Sequence, residues 1–204
     1  MRDFDNWNIN MDFKKIKMKY TDTQLLDRVK SLPSFKGFPQ SGVLDIWVRS
    51  NADEFDKFDD KVYSFDCYPG VEPKFKMVCT GTSNAGATGL KKFAEYNGLG
   101  CAILKSDWIV YNSHAYGQHK GKPAYRQAKG FPYFRDNDKD NKAEELGTEY
   151  KDIIGANCHR AGAHSTVIGG WSTACLVRNN EKQFLDWLKF MDKRILTVVI
   201  LQEF

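Results

Sequence analysis

The stretch that decides the fold runs VLDIWVRSNADEFDKFDDKVYSFDCYPGVEPKFKMVCTGT (43–82). Three segments within it, VLDIWVRS, KVYSFDC and KFKMVCTGT, alternate in polarity and carry β-branched or aromatic residues, with Asp, Asn, Pro and Gly clusters between them. Such side chains suit a pleated, half-buried surface and such clusters interrupt it, so three antiparallel strands are expected. Outward from this block the pattern continues. GLGCAILKSDWIVYN (98–112) predicts one or two further strands, YKDIIGANCH (150–159) a strand ending at His159, and RILTVVIL (194–201) a closing strand. EKQFLDWLKFMDKR (181–194) predicts a helix, with Phe184, Leu185, Leu188 and Met191 at helical spacing. Before the strands, TDTQLLDRVKSL (21–32) opens with Thr21 and Gln24 in a capping-box pattern, places Leu25, Leu26, Val29 and Leu32 on one face, and stops at Pro33. The expectation is a mainly β (α+β) fold: an N-terminal arm with a short helix over 1–40 and a β-rich domain over 41–204.

The 204 residues, 42% hydrophobic, suffice for one sizeable core. Thirty basic against twenty-six acidic residues give a net charge of +4, too slight and too dispersed for a nucleic-acid binder. No run reaches the length of a membrane span, and MRDFDNWNINMDF at the start has no apolar signal core. Synthesis as a soluble, monomeric cytoplasmic product without stable membrane insertion is the expectation. Five cysteines (67, 79, 101, 158, 175) without a CxxC pair predict free thiols, and four scattered histidines (114, 119, 159, 164) argue against zinc.

The chemistry is expected in IIGANCHRAGAHSTVIGGWSTACLVRNN (153–180). A cysteine becomes a nucleophile through a neighbouring imidazole and backbone N–H groups aimed at its sulfur. His159 at a strand end is the candidate base, ahead of His164, which falls in a loop. Cys175 follows Gly169, Gly170, Ser172, Thr173 and Ala174, a small-residue run able to turn tightly and form an oxyanion hole. Cys67, Cys79, Cys101 and Cys158 are expected in the core.

These residues resemble the L,D-transpeptidase (YkuD-like) catalytic domain, in which a strand-end histidine is followed at similar spacing by Ser-His-Gly-Cys; here the matching positions are Ser172, Thr173, Ala174 and Cys175. Upstream, MVCTGTSNAGATGLKKF (77–93) resembles the family's STGK and TPTGTF elements, with Thr80, Gly81, Thr88 and Gly89 in place. The resemblance covers about Val43 to Arg178 and implies a β-sandwich with a groove over the cysteine. Three positions depart from the pattern: Thr173 replaces a second histidine, Ala174 a glycine, and Val177 an arginine that comes one later as Arg178. The departures look like the divergent versions in bacteriophage lysis proteins.

The resemblance implies a peptidoglycan-degrading cysteine peptidase of endolysin type: made in the host cytoplasm, given access to the periplasm or cell wall by a holin, needing no cofactor. Its implied alternatives are an L,D-transpeptidase or exchange enzyme and a non-catalytic wall-binding or virion module. Cys175 and His159 are the catalytic candidates, and Ser172, Thr173 and Ala174 the positioning and oxyanion residues. Arg160 and Arg178 are candidates for substrate carboxylates. Gly170, Trp171 and His114 are candidate groove residues; the competing readings are a core-covering Trp171 and, for His114 and His119 in YNSHAYGQHKGK (111–122), a solvated polar loop. In the charged segment FRDNDKDNKAEELG (134–147), Asp136, Asp138 and Asp140 match the opening of a calcium loop. Asn141 and Gly147 break that pattern where glycine and glutamate belong, so a solvated loop is the favoured reading.

Overall fold

A computed structural model describes residues 19–92 and 98–204. The start of the 1–40 arm therefore lies outside the described residues.

The mainly β expectation holds. The strands are β1 (Val43–Arg49), β2 (Asp60–Asp66), β3 (Lys74–Thr82), β4 (Cys101–Leu104), β5 (Trp108–His119), β6 (Lys122–Gln127), β7 (Phe131–Asp136), β8 (Tyr150–Asp152), β9 (Cys158–Arg160), β10 (Leu176–Arg178) and β11 (Leu196–Gln202). Where the resemblance implied two stacked sheets, hydrogen bonding closes eight strands into a barrel of order β1-β11-β5-β6-β9-β10-β3-β2. A separate three-stranded sheet has the order β4-β7-β8. β1 to β3 pair antiparallel, as their alternation predicted, while β1 with β11 and β9 with β10 are parallel.

Every residue of β1 is buried, because both faces of the strand are covered. Leu44, Ile46 and Val48 join Tyr63, Phe65, Val199 and Leu201 under helix α1 (Asp22–Lys30), which contributes Leu25, Leu26 and Val29. Each fully buried aliphatic side chain there is worth about 1.5–3 kcal/mol. The predicted capping box is present: the Thr21 side chain accepts from the Gln24 N–H, and the Gln24 side chain accepts from the Thr21 N–H. Val43 and Trp47 face the larger core with Val62, Leu176, Val198 and Ile200.

Helix α2 (Glu181–Met191) packs Phe184, Trp187 and Met191 into that core. Leu185, expected inside, is 45% exposed and Trp187 takes the buried position. Residues 184, 187 and 191 share a tighter stripe than 184 and 185, so the aromatic ring goes in. The long strand expected over 150–159 is in fact two short ones, β8 and β9, separated by an irregular stretch in which Gly155 has φ +78°.

The segment read as a polar loop, 111–122, is the β5–β6 hairpin. Lys120 and Gly121 both have positive φ (49° and 74°), and His119 faces Lys122 across the turn. Two residues with φ above zero make a tight turn whose twist suits the flanking strands, which is why Gly121 sits there.

Candidate functional site

The site is built where β9 and β10 run side by side. Val177 pairs with His159 and Leu176 with Cys158. Side chains alternate across a strand, so Cys158, Leu176 and Arg178 point into the larger core while His159 and Val177 share the other face. Cys175 lies on that same face, packed with Val177, Phe58, Ala161 and Ile168. The fold thus brings the two catalytic candidates to one face of neighbouring strands.

Each has a distinct environment. His159 is 6% exposed. Its Nδ1 lies 2.9 Å from the Arg160 carbonyl, which can only accept, so Nδ1 carries the hydrogen and Nε2 a lone pair. That buried Nε2 has no hydrogen-bond partner. Burial pushes the imidazole down to about 4, the Arg160 carbonyl opposes this, and the nearby His119, Lys120 and Arg160 push it lower still. Cys175, 8% exposed, is the most accessible of five buried free thiols. Its Sγ donates to the Gly155 carbonyl at 3.6 Å. Burial raises the thiol above its ordinary range, against the Asn157 N–H and the charge of Lys120, which favour the thiolate. Both groups rest neutral.

The bend before Cys175 is held from both sides. Ser172 donates its hydroxyl to the Cys175 carbonyl at 2.8 Å and accepts the Gly86 N–H on its own carbonyl at 3.0 Å. Asp56 clamps the two loops together, its carboxylate accepting from Gly169 N–H (2.6 Å) and Ala87 N–H (2.8 Å). A single π-helical turn, Thr88–Lys92, completes the wall. The approach is so close that a Cβ on Gly86 would meet the Gly169 carbonyl oxygen at 2.5 Å, and one on Gly89 would lie 3.2 Å from the Thr173 Cα. The upstream block and the cysteine bend, linked in the sequence only by resemblance, are thus physically in contact. Among the described residues, the Ala174 and Cys175 N–H groups make no hydrogen bond.

Beside His159 opens a pocket of about 220 Å³ lined by His119, Lys120, Lys122, Pro123, Arg160 and Trp171. Trp171 is 44% exposed, so it forms a wall rather than a cover for the core. Gly170 is exposed close by, with Thr88 the neighbour nearest its missing side chain. Arg160 reaches the pocket while pairing with Glu181 at 2.8 Å. His119 stacks on His159, with ring centroids 4.5 Å apart and planes 12° from parallel. The Gln127 N–H donates to Asn157 Oδ1, which turns Asn157 Nδ2 toward His119 Nδ1 at 3.1 Å. Nδ1 of His119 therefore accepts, and its ring hydrogen sits on Nε2. Burial, with Lys120 and Arg126, lowers this imidazole too.

Three expectations are corrected. Arg178 is fully buried: its guanidinium pairs with Asp45 at 2.6 Å, donates to Cys158 Sγ at 2.9 Å, and lies between the rings of Trp187 and Trp47. It cannot meet a substrate carboxylate, because strand alternation turns it to the face opposite His159. His114 is also fully buried, bonded through Nε2 to the Ala156 carbonyl (2.7 Å) and through Nδ1 to Ser113 (2.9 Å), and does not reach the pocket. In the acidic loop, Asp138 and Asp140 cluster with Glu144 and not with Asp136, whose carboxylate turns inward to accept the Glu144 N–H. Ser172 orders the bend, and its hydroxyl is spent on that bend rather than on the imidazole.

His164 stays exposed in a loop, bridging to Asn180. The site residues missed by sequence reasoning are Lys120, Lys122, Asn157 and Asp56, together with His119, which had been read as loop. A two-residue Lys-Gly turn between alternating segments was the available signal for the hairpin that carries three of them.

No protein-family model, curated protein or solved structure matches this chain. The resemblance therefore rests on the residues quoted for it.

Proposed function

We propose that the chain is a cysteine-dependent peptidoglycan hydrolase of endolysin type, cleaving stem or cross-link peptides through Cys175 and His159. The observation that carries the reading is the unpartnered, buried Nε2 of His159, fixed by its Nδ1 hydrogen bond and sharing a strand face with Cys175. A buried lone pair without a donor is costly to maintain, and the Cys175 thiol on the same face, which rests on the Gly155 carbonyl, has to turn from it to give Nε2 its proton. In this mechanism Nε2 takes the Cys175 proton as sulfur attacks a peptide carbonyl carbon, and the Ala174 and Cys175 N–H groups receive the oxyanion. The C–N bond then breaks, nitrogen leaves with the proton from His159, and water resolves the thioester. Because both groups start neutral, proton transfer accompanies attack on a bound carbonyl rather than preceding it.

An amine in place of water would make the enzyme a transpeptidase or exchange enzyme, and product mass distinguishes the two. A second reading, a non-catalytic wall-binding or virion module, is favoured by one observation: Cys175 is nearly enclosed by Phe58, Ala161, Ile168 and Val177. The test is muropeptide analysis of purified sacculi treated with the wild-type protein and with Cys175→Ala. The hydrolase reading predicts new stem-peptide ends with the wild type alone. Sacculus binding by both proteins with no muropeptide change would favour the module.

A further inference from the structure

The β5–β6 hairpin tip contributes most of the pocket wall beside His159, and its composition is one-sided. Lys120 and Lys122 come from the tip itself, Arg160 from β9, and the lining includes no carboxylate. Arg160 is already paired with Glu181. Among the described residues, Lys120 and Lys122 have no ion-pair partner. The two imidazoles at the back stay neutral, so the pocket is cationic through its lysines and not through its histidines. His119 keeps its hydrogen on Nε2, because Nδ1 is occupied by Asn157, and so supplies a neutral donor within a lysine-rimmed space. The exposed ring of Trp171 and Pro123 give that space an apolar side.

We propose that this pocket binds the free α-carboxylate of a short peptide, with Lys120 and Lys122 as counter-charges, His119 as a hydrogen-bond donor and Trp171 as the wall for the adjoining residue. A volume of about 220 Å³ is below the range of larger organic ligands and suits one or two amino-acid residues. The assignment deepens the hydrolase reading and rests on it for the identity of the peptide.

Binding can be measured without turnover, which separates the two claims. The probes are N-acetyl-D-alanine, N-acetyl-D-alaninamide and inorganic phosphate, titrated into the full chain while the His119 and His159 imidazole resonances are followed by NMR. N-acetyl-D-alanine is expected to shift both resonances, more weakly as salt is added. The amide should bind at least about tenfold more weakly. Lys120→Gln/Lys122→Gln should lose roughly the same factor, since two exposed charge contacts are worth at most about fivefold each. Cys175→Ala should bind like the wild type. Equal binding of acid and amide, tighter binding of phosphate, or an unaffected double lysine variant overturns the carboxylate site. If carboxylate binding persists while Cys175→Ala leaves muropeptide release intact, the nucleophile reading falls and the pocket stands.

Discussion

Replacing Arg178 with Met should be among the most damaging single changes in the molecule, although the residue touches no substrate. Arg178 and Asp45 are wholly enclosed and 2.6 Å apart. Removing the cation leaves a buried carboxylate whose remaining partner is the Ser64 hydroxyl, at 2.5 Å. Breaking a buried pair from one side costs about 3–5 kcal/mol, because the surviving charge has lost its counter-ion. The guanidinium also lies 3.9 Å from the Trp187 ring centroid and 5.1 Å from that of Trp47, contacts worth on the order of 1–2 kcal/mol when desolvated; Met retains part of that packing. Against a total stability of about 5–15 kcal/mol, the single variant is expected to lose roughly a fifth or more. Guanidinium chloride unfolding followed by tryptophan fluorescence measures it directly. The paired variant Asp45→Leu/Arg178→Met should recover most of the loss, since well-packed apolar residues can replace a buried ion pair at little cost. A loss below about 1 kcal/mol in Arg178→Met, or a double variant no more stable than the single, would refute the argument.

The two buried histidines predict how stability responds to acid. His114 and His159 are held down to about 4 from an ordinary value of 6.5. The unfolded chain binds protons below 6.5 that the native state refuses until about 4, so stability is full above 6.5 and falls as pH drops through that window. For the fully enclosed His114 the fall approaches roughly 3 kcal/mol, and unfolding midpoints from pH 7 to pH 4 should shift less in His114→Gln than in the wild type. Asp56→Ala removes the one carboxylate oxygen that accepts from both Gly169 and Ala87, which should speed amide exchange at those two positions at least about tenfold, corresponding to two hydrogen bonds of about 1 kcal/mol each, with little change at β1. Gly86→Ala forces a methyl against the Gly169 carbonyl and should cost about 1–3 kcal/mol in the same unfolding assay, with the wall beside Cys175 displaced.

Much of the fold was legible because it is local. The α1 cap at Thr21, the strands β1 to β3 and the closing strand β11 follow from short-range alternation and capping chemistry. Helix α2 was found, yet its buried face was misassigned between Leu185 and Trp187, since a one-position rotation of a helix barely changes its pattern. Barrel closure was not legible, because parallel β1–β11 pairing joins residues from opposite ends of the described chain.

The site divides the same way. His159 and Cys175 could be nominated from the sequence, and β9–β10 pairing is what places them on one face. Arg178 looked like a surface cation because its partner Asp45 is 133 residues away, and His114 looked like loop because its acceptor, the Ala156 carbonyl, comes from a different element. His119 and the hairpin lysines were hidden for the opposite reason: Lys-Gly reads as polar punctuation until both positive φ values are seen.

The most direct measurement is mass spectrometry of the protein quenched in acid while it turns over a stem peptide. The account predicts an acyl adduct confined to the peptide containing Cys175, absent from Cys175→Ser and much reduced in His159→Gln. Turnover without any adduct on Cys175, in wild-type protein able to cleave the stem, would contradict it.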